Sequence, residues 1–568
     1  MVLNGKSAAP GAAVGRIYVY KRNLFTPVES SIPAGEEQSH LYQYLSVKKQ
    51  ALQELEKLKT SMQKRDPEKA EIFIAHQEII DDIVINEEIP AKILNEHWSG
   101  DWAIYHVYET VIAVLKKAPD LLIAERAADF DDVRTLLLRL WYGEKGTQLS
   151  DFTESVILAA NDLMPSDIAD MDNGKVLAIL TATGGITSHT AIIAKSYGIP
   201  AIMGIQGLCE TVEHGQLAAV DANEGIVILD PQEDVAAEYR EKQEAFHRDR
   251  QEAQAFLTKE GRTSDDIRIE IGLNIDSVKD KDLEASAYTD SIGVFRTEFI
   301  YMGRDTLPTE DEQFASYRKV LEKYGQKPVY LRTIDIGGDK PAACLNMQKE
   351  DNPFLGNRAL RYCFNHPEIF KTQLRAALRA SVHGNLWLMF PMAGSIDDIR
   401  RAKEHLESAK EELKKEGKPF SDFKVGIMIE IPSIALIADI AAAEVDFASI
   451  GSNDLCQYLC AADRTNSFVS DYYQSYHPGL FRLIRETVRV FDTAGKSISL
   501  CGELAADPLV IPVLIGLGLR KLSMTAASVA AVKRAIASID IKKCEIIAAN
   551  VTEFATADEV KEFLISSV

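Results

Sequence analysis

The second half of the chain repeats one pattern: a short apolar run, a stretch with helical spacing, then another apolar run. Eight runs are read in this way: RIEIGLNI, SIGVFR, PVYLRTIDI, LWLMFP, KVGIMIEI, FASIG, SISLCG and RKLSM. Strands buried on both faces read as continuous apolar runs, and strands alternating with helices build a parallel sheet. Eight such units in about 300 residues predict a closed (β/α)8 TIM barrel over residues 262–568. A doubly wound open sheet is the competing arrangement.

The active site of a TIM barrel lies at the C-terminal ends of its strands. Here the second strand finishes in Arg296 and Glu298, and the third carries Arg332, Asp335 and Asp339-Lys340. The fifth ends in Glu430, the sixth runs into Asn453-Asp454, and Cys501 and Glu503 follow the seventh. One charged strand end is an ordinary solvated turn. A rim of several, of both signs, marks a candidate site. Arg296, Arg332, Arg358 and Arg464 offer planar forks for carboxylate and phosphate oxygens, with structural ion pairing as the plain alternative for each. Glu430 and Asp454 supply two hard oxygen ligands, the usual protein share of a Mg²⁺ site that also takes substrate oxygens and water. Asn453 can donate to a phosphate. Together they suit a small, multiply charged phosphate ester bound with magnesium.

The first half is organised differently. Gly11 to Tyr20 reads as a strand after a glycine turn, Glu36 to Leu140 as helical, and Val156 to Asp230 as short apolar runs separated by turns. The helical stretch is therefore read as an insertion into an α/β domain. The division expected is an α/β domain of residues 1–22 and 145–230, a helical domain of 23–144, a linker helix within 231–261, and the barrel. Within the α/β domain, TGGITSHTAIIAKSYGIPAIMG spans 183–204. Gly184 and Gly185 allow a tight turn, Thr187 and Ser188 can cap a helix running through Ile192, Ile193 and Tyr197, and His189 falls in its first turn. Free N–H groups and the helix dipole there favour an anion and disfavour imidazolium, leaving a neutral, nucleophilic ring. A capped turn with an incidental histidine fits the same spacing.

Composition narrows the class. A formal charge of −22 over 568 residues argues against a nucleic-acid binder and suits a basic protein partner. The start lacks the features of a signal peptide, and no apolar run approaches a membrane span. Seven scattered cysteines fit reduced thiols in a cytoplasm. Cys456 and Cys460 are one helical turn apart, but no second pair lies near them in sequence, so they are read as structural thiols.

GGITSHTAIIA followed by GIPAIMG resembles the phosphohistidine loop shared by enzyme I of the bacterial phosphotransferase system, pyruvate phosphate dikinase and phosphoenolpyruvate synthase. SIGVFRTEFIYMGRDTLPTEDEQF, RTIDIGGDK, NPFLGNRALR, MIEIPSIALIA, SIGSNDLCQYLCAADR and CGELAADP resemble successive signatures of the phosphoenolpyruvate-binding barrel, in the order enzyme I shows. AAPGAAVGRIYVY and IFIAHQEIIDD are similar to enzyme I as well.

The resemblance implies that His189 carries the phosphoryl group and that Arg296, Arg332, Arg358, Asn453 and Arg464, with Lys340, bind phosphoenolpyruvate. It implies Mg²⁺ on Glu430 and Asp454, and Cys501 as the acid that protonates the enolate. It also implies delivery to a histidine of the small phosphocarrier HPr and a homodimer through the barrel. For the carrier, Ile79, Ile80 and Asp82 offer an apolar patch beside acidic charge, or else the isoleucines are helix core. Three positions depart from the enzyme I pattern: Ile168 replaces a threonine, Ala182 an aspartate and Ile186 an arginine. Each removes a polar group near His189. A dikinase or synthase would need a nucleotide-grasp domain for which the chain has no room. A catalytically weak regulatory paralogue is the second alternative.

Overall fold

The computed structural model describes residues 1–568 apart from 21–24, 66–69, 118–120, 145–148, 150–151, 153, 164–166, 168–170, 185–188, 303, 338–341, 349, 465 and 568. Side chains are also left undescribed at 61–65, 70–71, 121–125, 189, 192–193, 196, 250, 281–282 and 467. Packing divides the chain into two compact units, Met1–Arg248 and Asp249–Val568.

In the first unit, β1 (Val2–Asn4), β2 (Lys6–Ala9), β3 (Ala12–Tyr20), β4 (Val156–Ala160), β5 (Val176–Thr181), β6 (Ala201–Met203), β7 (Leu217–Asp221) and β8 (Ile226–Leu229) form one sheet. Its order is β1-β8-β7-β3-β4-β5-β6-β2. The central β3-β4-β5-β6 run is parallel, and β7, β8, β1 and β2 join antiparallel at its sides. Central strands covered on both faces need apolar residues throughout, and all five residues of β4, VILAA, are buried. Separate apolar clusters lie on the two faces: Leu158 and Ile179 belong to one, Ile157 and Leu180 to the other.

Between β3 and β4 the chain leaves the sheet for five helices: α1 (Glu37–Arg65), α2 (Ala70–Ile80), α3 (Ile83–Asn95), α4 (Gly100–Lys116) and α5 (Leu121–Trp141). They close over their own core, with Tyr44, Phe73, Ile89, Ile104, Tyr108 and Leu137 at its centre. The inserted helical bundle expected from the sequence is present. Asp82 starts α3, its side chain accepting a hydrogen bond from the Ile85 N–H, which satisfies a donor the helix cannot. Gly100 opens α4 because a Cβ there would lie 2.2 Å from the Trp141 ring.

The second unit is a closed parallel barrel. Its strands are β9 (Glu270–Ile275), β10 (Ser291–Arg296), β11 (Val329–Arg332), β12 (Leu386–Phe390), β13 (Lys424–Ile429), β14 (Phe447–Gly451), β15 (Ser497–Cys501) and β16 (Lys521–Met524). Pairing follows chain order and closes from β16 to β9, which excludes the open sheet. Alternation with period two sorts each strand. Leu331, Ile427, Ile429, Ile450 and Leu500 pack in the outer core, while Val294, Tyr330, Trp387, Met389, Met428, Phe447 and Cys501 form a separate cluster. Two residues beyond Val294, Tyr330 and Met428, on the same strand faces, come Arg296, Arg332 and Glu430. The period that fills the barrel therefore sets those charged groups at its C-terminal mouth. No helix among the described residues is long and apolar enough to cross a membrane.

Candidate active site

Arg332 closes β11 at 6 % exposure. Its Nη2 donates to Glu298 Oε1 at 2.7 Å, and its Nη1 lies 3.0 Å from Asp335 Oδ2. Burial alone would lower its pKa, but Glu298, Asp335, Glu430 and Asp454 together hold it above its usual range. Arg358 comes from the connection after β11 and is 1 % exposed. Its Nε and Nη2 donate to Asp335 Oδ1 at 3.2 and 2.9 Å. Its Nη1 lies 3.4 Å from Tyr458 Oη and 3.6 Å from Asp454 Oδ1. Arg464 Nη2 approaches the same Asp454 oxygen at 3.7 Å.

Glu430 follows β13 and is fully buried. The Met392 N–H donates to its Oε1 at 2.6 Å, while Oε2 has no hydrogen-bond partner. Gly451 ends β14, and a Cβ there would stand 3.1 Å from that free oxygen. Asp454 sits in the first turn of helix Ser452–Cys460, 8 % exposed, with Oδ1 accepting no hydrogen bond. Burial, then the Asp335 and Asp454 carboxylates, push Glu430 up to about 8 against the pull of Arg332 and Arg358. Such a shift marks a place short of positive charge. Among the described residues no three His, Cys, Asp or Glu side chains gather into a cage for a metal. The two free carboxylate oxygens are thus suited to a hard divalent cation that completes its shell with substrate and water.

Cys501 closes β15 at 6 % exposure, its Sγ 3.4 Å from the Ile450 carbonyl. Burial pushes the thiol up to about 11, with Arg332 and Arg296 pulling the other way, so the sulfur keeps its proton at pH 7. Arg296 ends β10 exposed. Asn453, half-buried, accepts the Glu503 N–H at 3.0 Å through Oδ1, leaving its amide NH₂ as a donor. Lys340 lies outside the described residues.

Two features had weak or no sequence signal. Glu298 and Asp335 were legible as charged strand ends, but not as partners of the arginines. Met392 gave no signal: it is a non-glycine residue at φ 56°, a conformation that costs free energy and here aims its N–H at Glu430.

In the first unit, β5 ends at Thr181, and helix His189–Tyr197 begins at the histidine. The proposed caps Thr187 and Ser188, with Gly185, Ile186 and Ile168, lie outside the described residues. Gly184 has φ 87°, the left-handed conformation for which glycine is the natural choice. Ala182 packs against the apolar cluster on one face of the sheet. Thr190 is buried, its hydroxyl donating to the Leu163 carbonyl at 3.1 Å.

On the bundle, the surface patch expected at Ile79 and Ile80 needs correction. Ile80 is 1 % exposed and belongs to the core, and Ile79 packs against that core. The turn after α2 puts the next residues outward instead: Ile83 and Val84 are 74 % and 65 % exposed, beside exposed Asp81 and Asp82.

Family models describing phosphoenolpyruvate-utilising enzymes match three stretches: the N-terminal region at 4–126, the mobile domain at 152–225 and the phosphoenolpyruvate-binding domain at 250–541. A phosphoenolpyruvate-protein phosphotransferase of Staphylococcus carnosus is 40 % identical over 99 % of this chain and 98 % of its own. That of Priestia megaterium is 38 % identical over 100 % and 99 %. A solution structure of Enzyme I is 35 % identical over 43 % of this chain and 99 % of its own, with a TM-score of 0.40. With the barrel closed, its mouth charged and relatives matching from end to end, the chain belongs to the phosphoenolpyruvate-protein phosphotransferase family of phosphoenolpyruvate-utilising enzymes.

Proposed function

We propose that this chain takes the phosphoryl group of phosphoenolpyruvate onto His189, releases pyruvate, and passes the group to a histidine of an HPr-like carrier protein. The observation that carries the proposal is the barrel mouth, where Arg332 and Arg358 are buried and Glu430 and Asp454 each keep an oxygen free of hydrogen bonds. Arg296, Arg332, Arg358, Asn453 and Arg464, with Lys340, bind the carboxylate and phosphate of the substrate. Their donors face the charge that spreads over the transferring oxygens, where positioning and electrostatics supply most of the catalysis. Glu430 and Asp454 would hold Mg²⁺, which when bound would supply Lewis-acid neutralisation of the phosphate oxygens.

A ring nitrogen of His189 forms the new bond to phosphorus as the bond from phosphorus to the enol oxygen breaks. The enolate then takes a proton at carbon from Cys501, whose raised pKa keeps it in the donor form. The thiolate regains a proton from solvent.

The division of labour proposed is residues 1–22 and 145–230 for the phosphohistidine domain, 23–144 for carrier docking, 231–261 for the connecting helix and 262–568 for chemistry. Ile83 and Val84, with Asp82, form the docking face, because apolar exposure beside acidic charge suits a carrier with a basic rim. Exposed Leu436, Ile440 and Phe468 support a homodimer through the barrel.

Incubation with phosphoenolpyruvate carrying labelled phosphate, Mg²⁺ and an HPr-like carrier tests the whole reading. Label should appear on both proteins, vanish with His189→Ala, and be indifferent to ATP. Label on neither protein would overturn it.

A further inference from the structure

We infer that Asp335 is the positioning residue of the two buried arginines, dividing its carboxylate between them and so setting how both guanidinium groups meet the substrate. The inference rests on the proposal that Arg332 and Arg358 bind phosphoenolpyruvate. Asp335 Oδ2 lies 3.0 Å from Arg332 Nη1, and Oδ1 receives Arg358 Nε at 3.2 Å and Nη2 at 2.9 Å. One oxygen serves each arginine.

Asp335 is fixed in turn. Its backbone N–H donates to Glu298 Oε1 at 3.0 Å, and the same oxygen takes Arg332 Nη2 at 2.7 Å. The bonds close a ring through Arg332, Glu298 and Asp335, with Arg358 attached. These four residues are at 6, 5, 1 and 1 % exposure, so water competes little for their donors. Arg332 Nε is buried and unpartnered. The ring thus orients a fork and leaves it a donor to spend on a ligand.

Charge alone predicts the opposite role. Asp335 adds a negative charge beside a multiply anionic substrate and also helps push Glu430 up. If charge were its whole effect, neutralising it would tighten phosphoenolpyruvate binding. Orientation predicts weaker binding and slower transfer, since a displacement of about 1 Å can cost on the order of 10²-fold in rate.

Asp335→Asn keeps the shape and removes the charge. Initial rates of His189 labelling from phosphoenolpyruvate should show KM raised at least about tenfold and kcat lowered by about 10²-fold. Transfer between phosphorylated carrier and His189 bypasses the barrel arginines and should stay at the wild-type rate. Asp335→Glu restores the charge on a side chain one methylene longer, which displaces both oxygens, and should stay impaired. A KM at or below wild type in Asp335→Asn, or full recovery in Asp335→Glu, would overturn the inference. Should Asp335→Asn fail to fold, Glu298→Gln decides: it weakens one arm of the ring, and an unchanged KM there would overturn the inference equally. Wild-type protein that takes no label would sink the proposed function and is read separately.

Discussion

At the scale of single residues, the barrel mouth trades stability for chemistry, and Glu430 shows the trade most clearly. Its folded pKa is raised to about 8, above the ordinary carboxylate value of 4.5. Between those values the unfolded chain has lost the proton that the native site keeps, so stability falls as pH rises through that window. In metal-free protein, Glu430→Gln should therefore raise the melting temperature, more at pH 8 than at pH 5, while abolishing labelling from phosphoenolpyruvate. A melting temperature lowered at pH 8 would show the carboxylate to be well compensated without metal. Two cysteines give a second contrast. A hydrogen bond from Cys456 pulls the Cys460 thiol down against the effect of burial, whereas burial raises Cys501 to about 11. Cys460 is also the more accessible of the two, since Cys501 is buried. Iodoacetamide at pH 7 should modify Cys460 at least about tenfold faster than Cys501, as peptide mapping would read, because the thiolate is the nucleophile and both the direction of the shifts and access favour Cys460.

At the scale of elements, much of the site was legible because a parallel barrel gathers the C-terminal ends of its strands on one rim. Arg332 and Glu430 were placed as strand ends, and the structure adds that they stand two residues beyond Tyr330 and Met428 on the inward faces of their strands. Arg358 and Met392 lie off the strands and helices, where no period tells which way a side chain points. The pairing of Arg358 with Asp335 was for that reason invisible in the sequence. The same limit explains Ile80. In AHQEIIDD the sequence shows two adjacent isoleucines at a helix end, and only the path of the following turn decides which face is covered. The structure buries Ile80 and exposes Ile83. Replacing Ile80 by aspartate should unfold the bundle, at a cost above about 3 kcal/mol for an unpaired buried charge. Replacing Ile83 by aspartate should leave the melting temperature within about a degree or two, as surface changes do. It should raise the KM for the carrier at least about tenfold. Equal effects at the two positions, on stability and on transfer, would remove the docking face from this turn.

At the scale of the whole molecule, the buried apolar residues described fall into several clusters. The barrel cluster runs from Ile269 to Leu564, while the bundle and the two faces of the first sheet hold clusters of their own within Met1–Arg248. Each unit carries apolar clusters of its own, and two-state behaviour is the exception in chains of this size. Calorimetry of the full-length protein should resolve at least two transitions. Adding phosphoenolpyruvate with Mg²⁺ at about 100 times the dissociation constant stabilises whichever unit binds it by about 2.7 kcal/mol. For a unit of some 300 residues that is a rise of about 4 °C, taking an unfolding entropy of about 2.1 cal/mol/K per residue. The gain should fall on the barrel transition alone, and Glu430→Gln should erase it. The phosphorylated carrier, which never needs the barrel mouth in the proposed cycle, should move only a transition of the first unit. A single transition, or one ligand shifting both equally, would mean that binding couples the units more tightly than their separate cores imply.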